Sequence, residues 1–229
     1  MSNRKHNIDA IIKVASALGQ LNDEVVFVGG AVVGFYADDP AADDVRPTED
    51  VDILIQIASP SELEELREEL IKKGFRQTAD DNITCRFRLK DIKVDVLSTK
   101  EIGWAPANPW FETGILEFEN RQLENVTIKI LKLPFFLAAK FVAFNHRGQK
   151  DARISTDFED ITYILDNRSD LVEVFMSSTE DVKEFIKLEI SKIKESRTLQ
   201  EAILGNLEIH SQNDRYNLIM HRLNEISSS

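Results

Sequence analysis

Two aspartates, Asp50 and Asp52, stand at alternate positions of an apolar run, and a third, Asp95, lies in the later run Lys93-Val94-Asp95-Val96-Leu97. Side chains two apart on a strand project from the same face with backbones roughly 6–7 Å apart. Carboxylates so placed are hard oxygen donors that converge well on divalent ions about 3.5–4 Å from each other. Such ions neutralise phosphate charge and orient an attacking oxygen, which is what phosphoryl-group transfer from a nucleoside triphosphate requires. Taken alone, a D-x-D in an acidic chain reads better as solvent-facing residues of a half-buried sheet. The order of the surrounding parts gives it weight: an apolar strand, Gly29-Gly30, an acidic loop, then Arg46-Pro47-Thr48-Glu49-Asp50-Val51-Asp52. Glycines after a strand let backbone approach phosphate, although they also serve any tight strand-to-helix turn.

The elements that must position these groups follow from periodicity. Ile8, Ile11, Ile12, Ala15 and Leu18 share one face at helical spacing before Gly19, which predicts an amphipathic helix. Val25-Val26-Phe27-Val28 predicts a buried strand, with a short helix after Gly29-Gly30 reaching Tyr36. Residues 37–49, rich in Asp and Pro, predict a solvated loop. Val51, Ile53, Ile55 and Ile57 form the apolar side of the next strand, with Asp50 and Asp52 on the other. Ser59, Pro60 and Glu62 carry a cap, a first-turn proline and a capping-box glutamate, opening a helix to about Lys73. Ile83 to Leu89 and Ile92 to Leu97 alternate around Lys90-Asp91. If that pair is a two-residue turn, Leu89 faces Ile92, Arg88 faces Lys93, Phe87 faces Val94 and Arg86 faces Asp95. Arg86 and Arg88 then lie beside the acids, either to hold phosphates or, for Arg86, to pair with Asp95.

Residues 98–124, which include Trp104 and Trp110, predict an irregular connection. Val126 to Leu131 predicts one more strand. From Leu133 onward the pattern is helical, with helices over Pro134 to Phe144 and from a Thr156/Glu159 capping box to about Leu165. Further helices are expected near Ser178 to Lys194, Leu199 to Leu207 and Arg215 to Ile226. Lys140 lies in a helix of Phe136, Leu137, Ala138, Ala139, Phe141, Val142 and Ala143, so its amine must reach solvent, an acid such as Asp160, or a bound anion. The expected architecture is α/β (α+β): a small mixed, mostly antiparallel sheet with flanking helices in residues 1–132, and an all-helical C-terminal module in residues 133–229.

The ordered set Gly29-Gly30, Asp50-x-Asp52 and Asp95 resembles the polymerase-β-like nucleotidyltransferase superfamily. The resemblance spans roughly Val25 to Leu97. It implies that Asp50, Asp52 and Asp95 bind two Mg2+ ions, that Asp95 accepts the proton of an acceptor hydroxyl, and that a nucleoside triphosphate is the substrate. Leu133-Pro134-Phe135-Phe136-Leu137-Ala138-Ala139-Lys140, Arg147-Gly148, Asp151, Ser155 and Asp157-Phe158-Glu159-Asp160 resemble the AbiEii-type toxin branch. That resemblance implies catalytic roles for Lys140 and for Asp160, with Asp157 as the alternative to the latter, and it implies an RNA or tRNA acceptor and an antitoxin protein partner. Gly29, Gly30, Arg46, Thr48, Arg86, Arg88 and Lys140 are the expected nucleotide-binding residues.

Composition bounds these expectations. The chain has 229 residues, 42% of them hydrophobic, enough for one core with a helical annex. The 28 basic and 40 acidic residues leave a net charge of -12, which repels polyanions at long range and favours a small hydroxylated acceptor over RNA. Cys85 is the single cysteine, so no internal disulfide forms, and no apolar stretch of about eighteen residues is present. A cytoplasmic, membrane-free protein is expected. A catalytically silent nucleotide- or partner-binding module is the alternative to an enzyme. It sits poorly with three clustered acids, which without a metal raise one another's pKa and cost stability.

Overall fold

The computed structural model describes residues 2–78, 81 and 83–228. The chain divides into two compact units, one comprising Met1–Val32 with Asp44–Lys132, the other Val33–Asp43 with Leu133–Ser229.

In the first unit, helix α1 (Asn3–Leu18) begins where the Ser2 hydroxyl accepts a hydrogen bond from the Lys5 amide, and it ends at Gly19 with φ 57°. It starts earlier than the apolar stripe implies. The buried face consists of Asn7, Ile11, Val14, Ala15 and Leu18, while Ile8 and Ile12 are half-buried. A cap outside the apolar stripe sets the helix start, and tertiary packing rotates the face. Strands β1 (Val25–Val28), β2 (Asp50–Ile55), β3 (Arg86–Leu89), β4 (Ile92–Ser98), β5 (Phe118–Leu123) and β6 (Val126–Leu131) form one sheet in the order β3-β4-β2-β1-β6-β5. β1–β2, β3–β4 and β5–β6 are antiparallel; β2–β4 and β1–β6 are parallel. The expected mixed, mostly antiparallel sheet is therefore present. β1 has a neighbour on each side and all four residues buried, as its unbroken apolar run requires.

Helix α2 (Pro60–Lys72) has the expected start: the Ser59 hydroxyl accepts from the Glu62 amide, and the Glu62 carboxylate accepts from the Ala58 amide. The β3–β4 hairpin turns at Lys90-Asp91, with Lys90 at φ 54°, and its pairs are Leu89↔Ile92, Arg88↔Lys93, Phe87↔Val94 and Arg86↔Asp95. Residues 98–124 are more regular than expected, for they contain the single-turn helix α3 (Phe111–Gly114) and edge strand β5. β5 is polar at most positions, as an outer strand is when its exposed backbone must not recruit another chain, so it lacks the apolar alternation that marks β6. The segment after Gly29 is a six-residue 3-10 helix, Gly30–Phe35, not an α-helix. A tight turn of that length carries little positive end charge of its own.

The second unit is helical: α4 (Leu133–Ala143), α5 (Thr156–Asn167), α6 (Leu171–Met176), α7 (Glu180–Glu195), α8 (Arg197–Gly205) and α9 (Gln212–Ser228). α4 continues into a π-helical turn over Phe144–Gly148, which holds His146. The α5 cap is the Ser155 hydroxyl, accepting from the Phe158 amide, one residue before the expected Thr156. Its core gathers Phe136, Phe141, Phe158, Ile161, Ile164, Val182, Ile219 and Leu223. Tyr36 from the Val33–Asp43 segment packs on Phe136 with ring centroids 4.5 Å apart. Arg215 ties the same segment to α5, reaching Asp39 at 2.7 Å and Asp166 at 2.6 Å. No helix among the described residues is long and apolar enough to cross a membrane.

Candidate active site

The parallel pairing of β2 with β4 sets Asp52 directly opposite Asp95, and Asp50 follows two residues away on the same face of β2. Three carboxylates from two adjacent strands thus share one patch of the sheet. Their neighbours Val51, Ile53, Leu54, Val94 and Val96 are buried and anchor both strands. β1 supplies the third wall: Val28 pairs with Asp52, and Gly29 follows at φ 72°. A Cβ on Gly29 would stand 1.7 Å from Asp52 Oδ2, so the missing side chain is the space that the carboxylate fills. A Cβ on Gly30 would lie 2.2 Å from Arg46 Nη2 and 2.8 Å from Thr48 Cγ2. The glycine pair therefore makes room for the acid and for the loop leading to it, and any larger residue at either position would push them away.

Asn7 on α1 orders that loop. It is 1% exposed; its Oδ1 accepts from the Thr48 hydroxyl at 3.0 Å, and its Nδ2 donates to the Arg46 carbonyl at 3.5 Å. Sequence reasoning passed over Asn7, and its one signal there is a polar residue in line with the apolar stripe of the helix. Lys93, opposite Arg88 on the hairpin, pairs with Glu49 at 2.5 Å. Its hydrogen bond lowers the pKa of that exposed carboxylate.

Arg86 controls the charge of the site. Its Nε donates to Asp95 Oδ1 at 2.7 Å, and its Nη2 is shared between Asp95 Oδ2 at 2.7 Å and Asp50 Oδ2 at 2.9 Å. The hydrogen bonds that it donates to Asp95, more than any other influence, raise the guanidinium pKa, so Arg86 stays charged at any working pH. Arg88 forms a second fork, with both contacts to Asp81 at 2.7 Å. That fork, assisted by the Thr78 hydroxyl, draws the Asp81 pKa down to about 2. Cys85 is buried beside the acids. Burial and then the negative charge of Asp95 and Asp52 push its thiol up to about 11, which leaves it a poor nucleophile.

The Trp104 ring lies 5.7 Å from that of Phe87, and its Nε1 donates to Glu64. Lys140 and Asp160 meet in the helical unit. Lys140 is 6% exposed, and its Nζ pairs with Asp160 at 2.7 Å and Asp157 at 3.1 Å. Arg147 clamps Asp157 from the other side with contacts of 2.7 and 3.0 Å. Burial works to raise the Asp157 pKa, but the Arg147 hydrogen bonds and the Lys140 charge outweigh it, and the net shift is downward.

Residues 14–212 match the family described as "Nucleotidyl transferase AbiEii toxin, Type IV TA system". The chain belongs to that family. It is accordingly a nucleotidyltransferase, and membership implies a nucleotide substrate and an antitoxin partner. An antigenic nucleotidyltransferase-like protein from Paracoccidioides brasiliensis shares the fold, with a TM-score of 0.55 and 17% identity over 92% of this chain and 97% of its own. The antibiotic-resistance factor ANT(2'')-Ia also shares it, with a TM-score of 0.50 and 12% identity over 83% of this chain and 95% of its own. No curated protein matches the sequence.

The family generally uses a divalent metal. The donor set here has the right chemistry, since Asp50, Asp52 and Asp95 offer hard carboxylate oxygens and Gly29 clears the space around Asp52. Among the described residues, no group of three His, Cys, Asp or Glu side chains is already converged on a metal position. Two of the three carboxylates are turned to the Arg86 guanidinium.

Proposed function

We propose that Asp50, Asp52 and Asp95 form the catalytic centre, and that the chain moves a nucleoside monophosphate from a nucleoside triphosphate to an acceptor hydroxyl with release of pyrophosphate. The observation that carries this reading is the register of β2 on β4, which pairs Asp52 with Asp95 and keeps Asp50 on the same face, in a chain of a nucleotidyltransferase family. The first unit holds this machinery, and residues 133–229 form the helical module. Two Mg2+ ions held by the three carboxylates would neutralise the phosphates and activate the attacking oxygen.

The chain's own residues supply the rest. Asp95 accepts the proton of the acceptor hydroxyl. Arg86 binds the polyphosphate through its planar fork, and Arg88 is a second, outer contact. Gly29 and Gly30 let the β1 turn lie against Asp52 and the Arg46-Thr48 loop, which borders the nucleotide. Lys140 and Asp160 act as a unit in the helical module, with Lys140 as a phosphate ligand.

An RNA or tRNA end, or another macromolecule, is the favoured acceptor, in keeping with a toxin family. The net charge of -12 supports a small hydroxylated molecule as the second reading. The deciding experiment transfers label from each of four α-phosphate-labelled nucleoside triphosphates, with Mg2+, into total RNA, protein and small-molecule extract. Label in one fraction, absent with Asp50→Asn, establishes the reaction and the acceptor class. Nucleotide binding without transfer to any fraction refutes the enzyme reading in favour of a binding module.

A further inference from the structure

We infer that Arg86 is an exchangeable internal counter-ion: it neutralises the acid cluster of the metal-free enzyme and must leave Asp50 and Asp95 before metal can bind there. This inference rests on the catalytic reading of Asp50, Asp52 and Asp95. Arg86 makes three hydrogen bonds of 2.7 to 2.9 Å, which engage both oxygens of Asp95 and one of Asp50, oxygens that a divalent ion would take as ligands. Arg86 and Asp95 side chains are each 12% exposed and Asp50 36%, so the fork faces solvent from the Asp50 side. A cation arriving from that side meets Asp50 first.

The neighbouring charges leave the guanidinium few other partners. Arg88 is already forked onto Asp81, and Lys93 holds Glu49. Asp52, the remaining acid of the patch, would be held by the same metal, so the charge of a displaced Arg86 needs a new anion. The polyphosphate of a nucleoside triphosphate is that anion, because it offers the same bidentate oxygen geometry as a carboxylate. Metal and nucleotide then favour each other by linkage: metal alone must expel Arg86 into water, whereas metal arriving with nucleotide hands Arg86 to phosphate. The site stays closed to free metal and opens to the substrate complex.

The test reads metal binding with no nucleotide present. Mn2+ is titrated into the full chain and free ion is counted by electron paramagnetic resonance, with the Mg2+-induced rise in Tm as a second readout. Arg86→Gln should bind Mn2+ about tenfold more tightly than the unaltered protein, the factor expected when one charged hydrogen-bonded pair no longer has to be broken. Adding Asp52→Asn to that variant should remove the gain. Arg86→Lys, which keeps the charge but loses the fork, should fall between, and it carries the test if Arg86→Gln does not fold. Equal or absent Mn2+ binding in the unaltered protein and both variants overturns the inference. If the unaltered protein still transfers label, only the role of Arg86 has failed; if it transfers none, the catalytic reading has failed with it.

Discussion

Replacing Gly29 by alanine tests whether the β1 turn exists to seat Asp52. The backbone there has φ 72°, a left-handed conformation that costs an L side chain ~1–2 kcal/mol. The new Cβ would also fall 1.7 Å from Asp52 Oδ2 and 2.6 Å from its Cγ. Ordinary contact needs about 3.5 Å, so the carboxylate must move by well over an ångström. Forcing it off its rotamer adds ~0.5–1.5 kcal/mol. The sum, ~1.5–3.5 kcal/mol, corresponds to a Tm lower by about 3–14 °C for a chain of this size. Gly74 provides the control, because it has φ 92° but nothing within 4 Å of an added Cβ. Gly74→Ala should lose stability through the backbone alone and keep its turnover within about twofold, whereas Gly29→Ala should lose about 100-fold, the usual consequence of misplacing a catalytic group by an ångström. The assay is label transfer at a temperature where calorimetry shows both variants folded. Gly29→Ala turning over at more than a third of the Gly74→Ala rate would refute the reasoning.

Two other expectations concern the helical unit. Lys140→Met leaves Asp157 and Asp160 facing each other at 2% side-chain exposure with one cation fewer; urea denaturation should show a loss of ~3–5 kcal/mol, and a loss below about 1 would mean that Lys140 is not needed to balance those acids. Asp157 has a pKa below its ordinary 3.8 in the folded state, so its stabilising contribution is complete above the unfolded value and is lost as pH falls through the lowered folded one. Arg147→Gln removes the principal cause of that depression and should move the acid-unfolding midpoint to higher pH, as followed by circular dichroism; an unchanged midpoint would count against the clamp.

The parts of the fold that were legible in advance are those governed by neighbours in sequence. The β3–β4 register follows from a two-residue turn at Lys90-Asp91, because the side-chain period of two leaves no freedom once the turn is placed. The start of α2 follows from Ser59, Pro60 and Glu62, each of which acts within one turn. β5 escaped because an edge strand answers to solvent on its outer side, and α6 because six residues are too few to display a helical period. The sequence does not separate Ser155 from Thr156 as the α5 cap, because the two hydroxyls are chemically equivalent candidates.

The same division holds for the candidate site. Sequence alone determined which residue types lie two apart on a strand, that Asp95 stands on an alternating run, and that Arg86 faces it if the hairpin closes. It also determined that Lys140 had to find an anion or water, since a charge in an apolar helix leaves no third choice. Only the tertiary structure decided that β2 and β4 run parallel in the register that sets Asp52 against Asp95, because pairing between strands so far apart in the chain depends on the packing of the whole sheet and not on any local turn. It also decided that Gly29 yields its side-chain space to Asp52, that Asn7 holds the loop before Asp50, and that Lys140 meets both Asp157 and Asp160. These are contacts between residues far apart in the chain. Their geometry exists only once the core has closed around them.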